Sequence, residues 1–129
     1  MNAVRPTGVN ELTLEVADLE RAERFYAGVL GLPVVERWED AVWVLAGTTR
    51  IGLWLPRIGI AGGRGGVHVH YALHVEEDDY DADVARLRDR GCHVEEVAFS
   101  DGRGRSVYVT DPDGHCVELW TWDVREHLA

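Results

Sequence analysis

VHVHYALHVEEDDYDADVARLRDRG, residues 67–91, reads as a strand running into a helix. From Val67 to Val75 the residues alternate with a period of two, the mark of a strand with two different faces. Val67, Val69, Tyr71, Leu73 and Val75 make an apolar face, while His68, His70 and His74, with Ala72 among them, make the other. Asp78 or Asp79 is placed to cap the helix YDADVARLRDR, and Gly91 to stop it. One solvated face would explain the histidines blandly; a metal or proton-transfer site would explain them sharply.

The same plan occurs earlier in the chain. VNELTLEV, residues 9–16, alternates in the same way, and Asp18 precedes LERAERFYAGVL. Leu19, Ala22, Phe25, Tyr26 and Val29 fall at helical spacing, with Gly31 and Pro33 as the stop. VVERWE, AVWVLAG and TRIGLWLP then supply three short strands, as HVEEVAF, RSVYVTD and HCVELWTW do in the second half. LEVADLE at 14–20 lies over LHVEEDD at 73–79, and IGLWL at 51–55 over VELWT at 117–121. The order β-α-β-β-β is thus written twice, an internal duplication that dictates the architecture. The expected organisation is a single domain over 1–129. Its parts are a first module over 8–55, a glycine-rich linker over 56–66 and a second module over 67–122. DPDG at 111–114 is a tight turn.

A chain of 129 residues suffices for one core. Its formal net charge of −10 argues against nucleic acid or an anionic membrane as partner, since both call for basic patches. Cys92 and Cys116 do not make a disulfide framework. The start of the chain lacks the apolar core of a signal peptide, and no apolar run is long enough to span a bilayer, so the expected compartment is the cytoplasm.

The repeat makes Glu11 the counterpart of His70, and Gly52 the counterpart of Glu118. With ELTLEVADLERAERFYAGVLGLPVV, HYALHV and YVTDPDGHCVELW at these spacings, the chain resembles the vicinal oxygen chelate superfamily. That superfamily includes glyoxalase I, bleomycin-resistance proteins, fosfomycin-resistance enzymes and extradiol dioxygenases. The resemblance implies an α+β fold in which two βαβββ modules form a curved, cup-shaped mixed sheet. It also implies metal ligands from the first, fourth, fifth and eighth strands, and a homodimer. Carried onto this sequence, the ligand positions are Glu11, Gly52, His70 and Glu118. Gly52, where glyoxalase I carries a glutamate, has no side chain to coordinate. Glu11 replaces one histidine of the two-histidine, one-carboxylate set that the extradiol dioxygenases resemble.

Glu11, His70 and Glu118 would give two carboxylates and one imidazole, a donor set suited to Mn²⁺, Zn²⁺, Ni²⁺ or Fe²⁺, with positions left for a chelating substrate. Glu11 or Glu118 would serve as catalytic base. Alternation places Thr13 on the face of Glu11, and Trp120 on that of Glu118. Trp54 is the repeat counterpart of Trp120, and the two tryptophans would stack on a substrate. His68 and His74 read as pocket-lining or surface residues, His68 being the nearer to a substrate role. Tyr108 and Arg105 on the seventh strand are further substrate contacts, although alternation puts them on opposite faces. Two functions follow. One is a metal-dependent enzyme of small molecules with vicinal oxygens, of isomerase, lyase or oxygenase type. The other is a metal-free drug- or metabolite-binding protein of the bleomycin-resistance kind, supported by the acidic balance and the two tryptophans.

Overall fold

The computed structural model describes residues 3, 5–56 and 69–128. It divides into two compact units, Met1–Gly65 and Gly66–Ala129. Most of the glycine-rich stretch expected as a linker, together with Val67 and His68, lies outside the described residues.

In the first unit, β1 (Glu11–Glu15) leads through α1 (Leu19–Glu23) to β2 (Val34–Arg37), β3 (Ala41–Ala46) and β4 (Thr49–Trp54). The sheet order is β1-β4-β3-β2, with β1 parallel to β4 and the other pairs antiparallel. Asp18 caps α1, its side chain accepting from the Arg21 N–H at 3.0 Å. The helix does not run regularly to residue 30. After Glu23 it widens into a π-helical segment, Arg24–Val29, in which the Leu30 N–H donates to the Phe25 carbonyl. This turn buries Phe25 and Tyr26 side by side, their rings edge to face at 5.1 Å. Gly31, at φ 72°, then reverses the chain. The unit's core is Leu14, Val16, Ala22, Tyr26, Val42, Trp43, Val44, Ile51 and Leu53.

The second unit repeats the plan: β5 (His70–His74), α2 (Tyr80–Asp89), β6 (Val94–Ala98), β7 (Arg105–Thr110) and β8 (Cys116–Trp120), in sheet order β5-β8-β7-β6. Registers match across the repeat. Thr13 pairs with Gly52 as Ala72 pairs with Glu118, and Glu15 with Trp54 as His74 with Trp120. Both units are α+β, each with a four-stranded mixed sheet. Neither Asp78 nor Asp79 acts as the expected side-chain cap of α2. A 3₁₀ turn, Glu77–Asp79, precedes the helix, and Asp79 is already helical with no side-chain cap bond. A short 3₁₀ segment, Val124–Leu128, follows β8, with His127 against the Trp122 ring at 5.0 Å. No helix among the described residues is long and apolar enough to cross a membrane.

Tyr80 docks α2 onto β7. Its ring is buried, and its hydroxyl donates to the Ser106 carbonyl at 2.8 Å and to Glu96 at 3.2 Å. Burial, and then the Glu96 carboxylate, push the phenol up to about 12. Replacing Tyr80 with Phe leaves the buried carbonyl without this donor, with an expected loss of about 1–2 kcal/mol in urea unfolding at neutral pH. The folded value lies above the ordinary tyrosine value of about 10, so this contribution is complete below that pH and disappears as pH climbs through about 12. A stability profile from pH 9 upward therefore falls more steeply in the parent protein than in Tyr80→Phe.

Candidate functional site

The second unit builds its site from three adjacent strands. β8 carries Glu118 between β5 and β7, in register with Ala72 and Tyr108, so that His70 and Ser106, each two positions along, share its face. Glu118 is only 5% exposed. A buried carboxylate requires partners, because its desolvation is costly. His70 on β5 places Nε2 2.9 Å from Glu118 Oε1, and the fully buried Ser106 on β7 donates its hydroxyl to Oε2 at 2.5 Å. Neither partner carries a fixed positive charge. Tyr108, paired with Glu118 in register, turns its ring edge-on to His70 at 5.9 Å. Burial, and then the negative charge of Glu118, push the Tyr108 phenol up, and they act likewise on the Cys116 thiol.

The neighbouring turn fixes where β5 begins. Asp111 Oδ1 accepts from the backbone N–H groups of Asp113 and His115, each at 2.8 Å. His115 is 1% exposed, and its Nδ1 accepts from the Val69 N–H at 3.1 Å, one residue before His70. DPDGH is therefore a turn, as expected, whose histidine also pins the strand that carries His70.

The same register positions in the first unit hold different chemistry. A Cβ on Gly52 would stand 2.9 Å from Nε1 of both Trp43 and Trp54. Two indoles fill the space where the second unit has a glutamate side chain, which gives the missing fourth-strand ligand a steric reason. Trp38, Trp43 and Trp54 pack edge to face, with centroids 4.5, 5.2 and 5.6 Å apart. Glu11 is one-third exposed. Its Oε1 accepts from Arg50 Nε at 2.5 Å and Trp43 Nε1 at 3.2 Å, and its Oε2 from Thr13 at 3.2 Å. Burial alone would raise the Glu11 carboxyl, but the Arg50 bond and charge outweigh it, aided by Thr13 and Trp43, and hold it below the usual range.

The other expected residues are distributed as follows. Trp54 belongs to the tryptophan cluster; Trp120 lies between Phe99 and Trp122 and donates to the Arg103 carbonyl at 2.7 Å. His74 lies exposed at the far end of β5, and His68 is outside the described residues. Arg105 does not share the face of Glu118. It covers the Tyr80 ring at 4.1 Å and pairs with Glu77 and Asp81 on the helix side. Within either unit, the described residues gather no group of three His, Cys, Asp or Glu side chains able to hold an ion. In the second unit the donor types nevertheless fit a divalent cation, since an imidazole nitrogen and a buried carboxylate oxygen share one point.

Residues 8–119 match the Glyoxalase/Bleomycin resistance protein/Dioxygenase superfamily. The chain belongs to this superfamily. Among curated superfamily relatives, glutathione transferase FosA of Serratia marcescens is 30% identical, the alignment covering 94% of this chain and 85% of that protein. Metallothiol transferase FosB of Shouchella clausii is also 30% identical, covering 95% and 85%. The solved structure of fosfomycin resistance protein FosX from Mesorhizobium loti superposes with a TM-score of 0.72 at 25% identity, covering 97% of this chain and 100% of that one.

Sequence reasoning passed over Ser106, His115 and Arg50. Ser106 had a usable signal, since strand alternation already put it on one face with Tyr108. Removing its hydroxyl by Ser106→Ala takes a buried donor from the Glu118 carboxylate, which keeps His70 and Tyr108, with an expected loss of about 1–3 kcal/mol in chemical denaturation. Ser106→Thr, which keeps the hydroxyl, should lose less.

Proposed function

We propose that this protein is a divalent-metal-dependent enzyme acting on a small molecule with neighbouring oxygens. Its proposed metal ligands are His70, Glu118 and Glu11. The observation that carries this reading is the buried Glu118 carboxylate, clamped through one oxygen by Ser106 and offering the other to His70. The relatives, a glutathione transferase, a metallothiol transferase and a fosfomycin resistance protein, support metal and small-molecule chemistry. They also make fosfomycin with a thiol the first substrate pair to assay. The ion is Mn²⁺, Zn²⁺, Ni²⁺ or Fe²⁺, on the donor chemistry alone.

When bound, a divalent ion supplies Lewis acidity toward the substrate's oxygens. The chain's own groups do the rest. Ser106 and His70 orient Glu118, so that the carboxylate does not have to reorganise during turnover. Tyr108 keeps its proton at neutral pH and is able to donate a hydrogen bond to a developing oxyanion. Glu11 or Glu118 is the proposed base; Arg50 keeps Glu11 ionised and, in doing so, lowers its basicity. Thr13 beside Glu11, together with Trp54, Trp120 and His68, complete the proposed substrate contacts. A homodimer in the cytoplasm completes the proposal.

His70→Ala is expected to abolish both metal uptake in titration calorimetry and activity in a thiol-plus-fosfomycin assay, with the fold retained by circular dichroism. Unchanged metal affinity in that variant would remove His70 from the ligand set. If the parent protein takes up no metal, while a bleomycin-type drug quenches its tryptophan fluorescence at micromolar concentration, the metal-free binding function stands instead.

A further inference from the structure

The strand registers of the second unit sort its side chains into rows on the face turned away from α2. Glu95, Tyr108 and Glu118 make one row, since Glu95 pairs with Tyr108 and Tyr108 with Glu118. Val97, Ser106 and Trp120 make the next, two positions along each strand. Phe99 and Trp122 follow beyond the ends of β6 and β8. Their rings lie against that of Trp120, with centroids 5.4 and 5.1 Å away and tilts of 48° and 39°. Polar groups thus give way to aromatic ones within one step along β8. A strand rises about 3.3 Å per residue, so that step is about 6.6 Å.

The core of this unit does not account for the aromatic row. Val107, Val117 and Leu119 are buried and alternate with it on the opposite face. Phe99, Trp120 and Trp122 are only half-buried, and Val97 is 39% exposed. The Trp120 indole is nevertheless fixed, because its Nε1 donates to the Arg103 carbonyl at 2.7 Å. An aromatic surface already held in place binds a flat group at little cost in ordering.

We propose that Trp120, flanked by Phe99 and Trp122, is a platform for a flat apolar group of the substrate, whose oxygens are held one row away at Glu118, Tyr108 and His70. The substrate class is then an aromatic molecule with neighbouring oxygens on a short side chain. This inference rests on the reading of the His70–Glu118 pair as the place where those oxygens are held. Its support is continuity: the polar row and the aromatic row share one face of one sheet, with the ring at a short side chain's reach from the carboxylate.

The test uses the intact protein loaded with Zn²⁺ and two probes, lactate and 3-phenyllactate, which share neighbouring oxygens and differ by one ring. Calorimetry should show 3-phenyllactate binding about tenfold more tightly than lactate. In the ¹H–¹⁵N spectrum of the parent, 3-phenyllactate should shift the indole N–H signal of Trp120, and lactate should not. Trp120→Leu should bring 3-phenyllactate down to the affinity of lactate, which itself stays unchanged, while Trp120→Phe keeps most of the gain. Equal affinities in the parent, or a gain that survives in Trp120→Leu, overturn the platform and leave the metal reading intact. If the parent takes up none of the four candidate ions, the metal reading falls separately. Binding of 3-phenyllactate that still shifts the Trp120 signal then keeps the platform, and the absence of that shift removes it.

Discussion

Burial of the Glu118 carboxylate is the constraint around which the second unit is arranged. At 5% exposure it cannot rely on solvent, so its oxygens must be met by same-face side chains on the strands to either side. Ser106 meets one oxygen from β7 and His70 the other from β5. The supports of these two residues reach further. Tyr80 on α2 holds the carbonyl of Ser106, and His115 holds the backbone immediately before His70. Helix, turn and sheet thus converge on a single anion, and loosening any of them moves the group that would bind an ion.

The first unit shows what the same framework does without that anion. Its strands pair in the equivalent register, yet Gly52 stands where Glu118 does, and the vacated space belongs to the Trp43 and Trp54 indoles. Its acidic residue sits instead on β1, where Glu11 is tied to Arg50 and Trp43. Duplication preserved the sheet, while the side chains of the two halves became specialised. One unit holds a clamped, buried carboxylate; the other holds a charge-paired, more exposed one.

The repeat and its registers were legible in the sequence because strand alternation and helix stops depend on nearest neighbours. Asp18 and Gly31 acted as a cap and a stop for that reason. The π-helical widening after Glu23 was not legible, since it answers to the packing of Phe25 and Tyr26 rather than to local propensity. In the site, His70 and Glu118 were found from the repeat and the family resemblance, and they meet at 2.9 Å. Arg50 was missed because its partners, Glu11 and Glu36, lie on other strands and leave no short-range pattern. Alternation alone also left the inner face of β7 undecided. The contacts of Arg105 with Tyr80, and of Ser106 with Glu118, decide it.

The proposed function depends on the His70–Glu118 pair receiving a divalent ion. Elemental analysis of tag-free protein, after dialysis against Mn²⁺, Zn²⁺, Ni²⁺ and Fe²⁺ in turn, tests it most directly. The account predicts about one ion per chain from at least one of these metals, one for each His70–Glu118 pair. Retention of none of them would contradict it, leaving the His70–Glu118 pair as a hydrogen bond of the fold.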